Sequence, residues 1–312
     1  MGLSTVQDVK SRILQVFPRS STEIPGLVDA DFSCWVRAIC RMYPWWFTEI
    51  RPGSVAGVFP ITDYPTLIGG APPGANPWFH RGWLVLDPAV DTYEFKAPYD
   101  DIHPEYGFHD AHVLCVDFVK LFEDTGEFRF EIPVRPPDLA HTRMNYTYEG
   151  QRDYPDIAWT EDFPEISILR IHPAVVRNRV CAVQFHLADC PNYTIPGDPS
   201  GDEYNRMVSA VPEFLVYYGL MKLAEFFVET ELYQHYREVL YGNPPLGLTV
   251  PGTTHGGYMV DLIKEGDRQS IASDTRWEYY KEAGMPFGTQ NGGRRSGRWG
   301  GRRGFGRGTY VY

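Results

Sequence analysis

The sequence has no run approaching the ~18 consecutive apolar residues that a membrane-spanning helix requires, so a membrane span is not expected. Its five cysteines, Cys34, Cys40, Cys115, Cys181 and Cys190, include no Cys-x-x-Cys pair. Their odd number and their places in apolar runs predict reduced, buried thiols rather than a disulfide framework. No charged stretch followed by an apolar one opens the chain, so export by the general secretory route is not expected. Val6 stands where the N-myristoylation motif needs Ser or Thr. There is no G-x-S-x-G nucleophile turn and no G-x-x-x-x-G-K-[ST] phosphate loop. Gly69, Gly70 and Gly74 lie among prolines instead of between a strand and a helix. Paired acids such as Glu161 with Asp162, or Glu229 with Glu231, carry no glycosidase signal in so acidic a chain. These absences predict a protein without catalysis and without a cofactor.

What is present is a chain of 312 residues, 43% hydrophobic and 22% charged, with a formal net charge of -11. That length fits one large domain or two modest ones. The charge argues against a whole-protein nucleic-acid clamp or a polybasic membrane binder. Glycine (30) and proline (26) are in surplus, together about 18% against an ordinary ~12%. The 20 tyrosines and 8 tryptophans are residue types enriched at protein interfaces. A loop-rich chain that makes many contacts is the expectation.

Charge is unevenly placed. From residue 289 onward there are six arginines and no acid, and subtracting these six positive charges from -11 leaves -17 on residues 1–288. The stretch also interleaves Trp299 and Phe305, the make-up of an RGG-like segment that contacts phosphate through Arg and stacks bases on aromatics. Its alternatives are a solvated end and a docking segment for a protein partner. The opposite bias appears over residues 87–117, which hold eight acids and one base, Lys96. Asp87, Asp91, Asp100, Asp101, Glu105 and Asp110 are expected to form a solvated acidic face or a surface that repels polyanions. His103, His109 and His112 sit within this region. Spread over a loop and a strand start, they lack the fixed spacing of H-E-x-x-H, and no metal site is expected there.

Thr5 and Asp8 make a capping box ahead of Val6, Val9, Ile13 and Val16 at helical spacing, with Pro18 ending the pattern. After a link over residues 18–26, Phe32, Val36, Ile39, Tyr43 and Trp46 mark the stripe of a second helix, and Pro44 its end. Residues 51–195 change to strand-like runs: Trp83 to Leu86, Tyr93 to Lys96, Val113 to Phe122, Glu127 to Ile132, Ile166 to Ile171 and Val180 to Leu187. Asp124-Thr125-Gly126 supplies a hairpin turn. Residues 135–165 read as a long excursion rich in Pro, Tyr and acids. Pro212 opens a helix, apolar almost all round, that continues through Leu232, Tyr236 and Leu240 to a stop at Gly242. A last helical fragment is expected near residues 268–283. With no internal repeat, the order predicts an α+β fold. An N-terminal helical hairpin and a long C-terminal hydrophobic helix form a helical body (1–50 and 200–288). An antiparallel β-rich domain (51–199) is inserted in it, and an extended Gly/Arg-rich tail (289–312) follows.

Several pieces, taken in order, resemble head-to-tail adaptor (neck, or head-completion) proteins of tailed bacteriophages. Thr5 to Asp8, and then Phe32-Ser33-Cys34-Trp35-Val36-Arg37-Ala38-Ile39 followed by Tyr43-Pro44-Trp45-Trp46-Phe47, are similar to that family's two opening helices. Arg37 stands near the place of an asparagine frequent there. Thr92-Tyr93-Glu94-Phe95 with Pro98 and Asp101 resembles the strand that begins the family's β-domain. Ile166 to Pro173 and Cys181 to Leu187 resemble a later strand pair. The strongest similarity is Val211-Pro212-Glu213-Phe214-Leu215-Val216-Tyr217-Tyr218-Gly219-Leu220 with Lys222-Leu223-Ala224, which looks like the family's C-terminal "P-x-x-f-x-x-Y-G-L-x-x-L-A" helix.

The resemblance implies a structural virion protein at the neck, assembled in the host cytoplasm. It would be a homo-oligomeric ring, typically twelvefold, between the portal and a tail or nozzle protein, with genomic double-stranded DNA passing through. Helices would form the ring body and the β-rich part would face the tail. Arg294, Arg295, Arg298, Trp299, Arg302, Arg303, Phe305 and Arg307 would dock on the portal. Trp45, Trp46, Tyr217 and Tyr218 would serve subunit packing, within or between subunits. The acidic residues would line the channel or a solvated face. Rival expectations are a tail-terminator or tail-tube protein, a nucleic-acid-binding protein using the RGG-like tail, and a metal enzyme on the histidine cluster.

Overall fold

The computed structural model describes residues 5–19, 21–52, 82–88, 90–100, 103, 106–123, 128–144, 153–242, 257–259 and 261–263. Over these residues the chain is mixed α and β with antiparallel sheets, and no helix is long and apolar enough to cross a membrane. The turn at 124–126, the helical fragment near 268–283 and the whole Arg-rich tail lie outside them, as do Asp101 and Glu105.

Helix α1 (Val6–Val16) opens on the expected box: the Asp8 amide donates to Thr5 Oγ1 (3.1 Å) and the Thr5 amide to Asp8 Oδ2 (2.9 Å). Two of the orphan amides at its start are thereby satisfied. Val6, Val9 and Ile13 are buried, but Val16 is 47% exposed; Phe17 takes the next inward place. Helix α2 (Ile24–Met42) begins inside the stretch expected to be a link, with Pro25 in its first turn, where the missing amide costs nothing. It ends at Met42 because Tyr43, preceding a proline, is extended. The stripe therefore stops at Ile39 and Cys40, and a 3-10 turn at Trp46–Thr48 leads into the sheet.

Near the other end, α4 (Arg206–Ala210) is capped by Asn205 and followed by α5 (Pro212–Phe226) and α6 (Thr230–Tyr241). The expected continuous helix is in fact two. Val228 adopts φ 58°, and the Glu229 amide turns back to the Ala224 carbonyl (2.9 Å). Helix α5 buries Phe214, Leu215, Val216, Tyr218, Leu220 and Leu223 against α1, α2 and α6, so its nearly all-round apolarity is matched by cover on most sides. Helices from both ends of the described chain thus share one apolar cluster.

A second cluster belongs to the strands. Its centre is β10 (Arg179–Leu187), which pairs with β6 (Val113–Phe122) on one edge and with β2 (Trp83–Leu86) and β1 (Glu49–Ile50) on the other. Strand β7 (Phe128–Ile132) completes this five-stranded sheet beside β6, as the hairpin expectation required. The expected strand Tyr93 to Lys96 is split at Phe95 into β3 (Thr92–Glu94) and β4 (Lys96–Pro98). Phe95 donates to the Ser167 carbonyl and accepts from the Ala111 amide, so the chain changes partners there. Strand β4 pairs with β5 (Phe108–Asp110), and β11 (Tyr193–Thr194) with β12 (Glu203–Tyr204).

The supposed excursion at 135–165 contains helix α3 (Pro137–Met144) and strand β8 (Ile157–Asp162). Strand β8 pairs along its whole length with β9 (Ser167–His172), which pairs in turn with β3. Cys181, Val183, Phe185 and Leu187 alternate into the sheet core with Leu169 and Ile171 of β9.

Candidate functional site

Because odd positions of β10 feed the core, Gln184 and His186 face the other side of the sheet. His186 lies directly across from Glu49 of β1 on one edge and from Cys115 of β6 on the other. The β10–β6 register shifts twice, between Gln184 and Phe185 and between His186 and Leu187, so irregularities flank the His186–Cys115 pair. Bulges of this kind re-aim side chains. Here Asp117, two residues beyond Cys115, swings its Oδ2 to 3.1 Å from His186 Nε2. Among the described residues, Cys115, Asp117 and His186 are the group of three metal-ligating side chains whose donor atoms converge, all within 4.8 Å of one another.

Surrounding groups fix the site. His186 Nδ1 lies 3.1 Å from the Trp45 carbonyl, which also accepts the Thr48 hydroxyl (2.8 Å). A carbonyl has no proton to give, so Nδ1 carries the hydrogen and Nε2 is turned toward Asp117. Gln184 donates to Asp117 Oδ2 (3.1 Å) and to Glu49, and Glu49 pairs with Arg51. The His186 and Asp117 side chains are only 7% and 9% exposed. With one nitrogen on a carbonyl and the other on a carboxylate, His186 has none left to activate Cys115. A Cys–His–Asp nucleophilic relay, which needs the imidazole between thiol and carboxylate, is not what this geometry makes.

The histidines singled out in the sequence do not form a ligand group with one another. His103 stacks on Tyr106 (5.0 Å between centroids) and His109 packs against Tyr99 (5.0 Å). Burial pushes the His109 pKa down. Tyr99 and Tyr106 also stack on Tyr193, and Tyr193 packs on Tyr204, so part of the tyrosine surplus is internal.

The described acids are half-buried or partnered rather than one bare charged face. Asp91 pairs with Arg170 (3.4 Å) and Asp110 with Lys96. Asp100 accepts from the Tyr193 hydroxyl (3.3 Å) and the His103 amide (3.2 Å). Burial raises the Asp87 carboxyl.

Trp45 is a core residue, 1% exposed, stacked on Phe47 and donating its indole N–H to the Ile39 carbonyl (2.7 Å). Trp46 is half-buried, Tyr218 buried, and Tyr217 half-buried between Tyr236 and Tyr258. Cys40, Cys181 and Cys190 are buried as expected, Cys115 is half-buried, and Cys34 is exposed on the outer side of α2. Cys40 and Cys190 approach to 3.6 Å, and this hydrogen bond, with burial, pushes the Cys40 thiol up.

The sequence reading missed Cys115, Asp117 and His186 as a unit. A signal was available: Cys115-x-Asp117 and Gln184-x-His186 place polar residues two apart, on one face of otherwise apolar strands. The chain matches no protein-family model and no curated protein.

Proposed function

We propose that the protein is a head-to-tail adaptor of a tailed bacteriophage, a ring subunit joining the portal to a tail or nozzle protein and lining the DNA exit channel. In this reading residues 1–50 and 200–288 build a helical ring body, 51–199 an inserted β-rich domain toward the tail, and 289–312 an arm gripping the portal. Twelve copies form the ring at the virion neck, and no catalysis is required.

One observation carries the reading beyond the resemblance itself. Gly219, in the Y-G-L helix, is the point where the three helical motifs meet: a Cβ placed there would lie 2.7 Å from Ile13 Cδ1 of α1 and 2.9 Å from the Trp35 ring of α2. The three helices that carry the helical motifs are therefore in mutual contact, as parts of one structural unit. Exposed Phe226 and Val228 at the end of α5 support an assembling subunit, because large apolar side chains clustered at a surface mark contact sites.

The nucleic-acid-binding alternative predicts the opposite behaviour of the tail. Full-length protein and a 1–288 truncation are titrated against fluorescent double-stranded DNA at rising salt. The adaptor reading expects no tight binding by either form. Binding that weakens steeply with salt and vanishes on truncation would replace the adaptor reading with the RGG one. Capture of a tail-tube component but not of portal would favour the tail-terminator reading.

A further inference from the structure

We propose that Cys115, Asp117 and His186 form a binding site for a divalent ion of the zinc class, and that the ion ties β10 to β6 where their register shifts. Nothing in the adaptor reading requires it. The donor set is one thiol, one carboxylate and one imidazole, the mixed S, O and N chemistry that borderline-soft Zn2+ accepts and that Mg2+ or Ca2+ does not.

Geometry agrees with chemistry. The three donor atoms already lie within 4.8 Å of one another. Zinc bonds of ~2.0–2.3 Å bring ligand atoms to about 3.5 Å apart, so a rotamer adjustment at half-buried Cys115 closes the set. The imidazole is prepared as metal-bound histidines are. Nδ1 is held by the Trp45 carbonyl, and the Nε2 lone pair points at the group it would share with Asp117. Without an ion or an extra proton, two acceptors face each other at 3.1 Å. Gln184 orients the carboxylate from behind, as an outer-shell partner does.

Charge also balances: one thiolate, one carboxylate and a neutral imidazole around Zn2+ sum to zero. A neutral complex suits a place where Asp117 is 9% exposed and Glu49 is already paired with Arg51. Three protein ligands leave a fourth position for water. His186 on β10 and Cys115 and Asp117 on β6 are distant in sequence, so an ion there joins elements that the chain brings together only by folding.

The test uses untagged full-length protein, so that no histidine tag competes. Elemental analysis is expected to give about one zinc per chain. Protein stripped with EDTA is expected to melt at lower temperature and to recover on adding zinc chloride. Cobalt chloride should give a sulfur-to-metal charge-transfer band that is lost in Cys115→Ser and kept in Cys34→Ser. Asp117→Asn and His186→Gln should each lower zinc affinity at least ~10-fold. The stripped wild-type chain keeps the test decisive even if a variant fails to fold. Absence of zinc in the purified protein, together with no binding on titration with zinc chloride, would make His186–Asp117 a plain ion pair and overturn the proposal. So would zinc retained undiminished in a variant that combines Cys115→Ser, Asp117→Asn and His186→Gln.

Discussion

Position 219 tolerates no side chain without movement of its neighbours. Alanine would be the better helix former by about 1 kcal/mol, but its Cβ would press on Ile13 Cδ1 and on the Trp35 ring. The ring is wedged in the core and yields less than the methyl. Overpacking of this kind costs ~1–3 kcal/mol, so Gly219→Ala is predicted to lower stability by about 1 kcal/mol net, read as a reduced urea midpoint. An unchanged or raised midpoint would show that α1 and α2 do not press on α5 there.

Glu123 makes a second prediction at the same scale. Burial works to raise its carboxyl pKa, but the Tyr154 hydroxyl and the Arg179 and Arg129 guanidiniums outweigh it and hold the group below the ordinary value. Arg179 is wholly buried, and its guanidinium pairs with this carboxylate (2.5 Å). A carboxyl whose folded pKa lies below its unfolded value of ~4.3 stabilises fully above that pH and progressively less as pH falls through the folded pKa. Glu123→Gln is expected to cost about 1 kcal/mol at pH 7, the scale of a partly exposed charged hydrogen bond. It should also flatten the loss of stability that the native protein shows below about pH 4. Parallel acid limbs in the two proteins would contradict the assignment.

At the scale of elements, the turn between α5 and α6 stores strain in view of solvent. Val228 has a positive φ, which a β-branched residue rarely adopts, and its side chain is 81% exposed. Val228→Gly removes the Cβ clash at no packing cost and is predicted to raise the thermal midpoint of the isolated subunit, by ~1 kcal/mol of stability. A lowered midpoint would mean that the valine side chain is needed within the subunit.

The same turn shows where sequence reading reaches its limit. Phe226, Phe227 and Val228 continue an apolar pattern without Gly or Pro, so nothing local announces the break. Thr5 and Asp8, by contrast, cap α1 through contacts three residues apart, and the cap is legible. Strand β8 was hidden because its second half, Thr160-Glu161-Asp162, is polar. Partners supplied only by folding satisfy it: Trp159 and Arg170 reach Glu161, and Ser167 reaches Asp162. The Cys115–Asp117–His186 group left only the faint signal of paired polar positions on two strands, and its convergence was hidden for a like reason. Cys115 and His186 are distant in sequence and meet through register, and a register shift turns Asp117 toward them.

On the scale of the whole molecule, the two large apolar clusters among the described residues are joined by a few specific contacts. Arg37 of α2 pairs with Asp189 (3.0 Å), Cys40 meets Cys190, and the Trp45 carbonyl receives His186. The chain is mixed α and β at that coarse level, and Trp45 belongs to its core, whereas Trp46 is half-buried and the end of α5 is exposed. The proposed adaptor reading uses the uneven charge of the chain, -17 over residues 1–288 and six arginines with no acid after them, to let DNA pass while the tail holds protein. The most direct measurement mixes the purified chain with a dodecameric bacteriophage portal and images the product by negative-stain microscopy. The account predicts a symmetric ring stacked on the portal with the full-length chain and none with residues 289–312 removed. Bare portal rings with the full-length protein would contradict it.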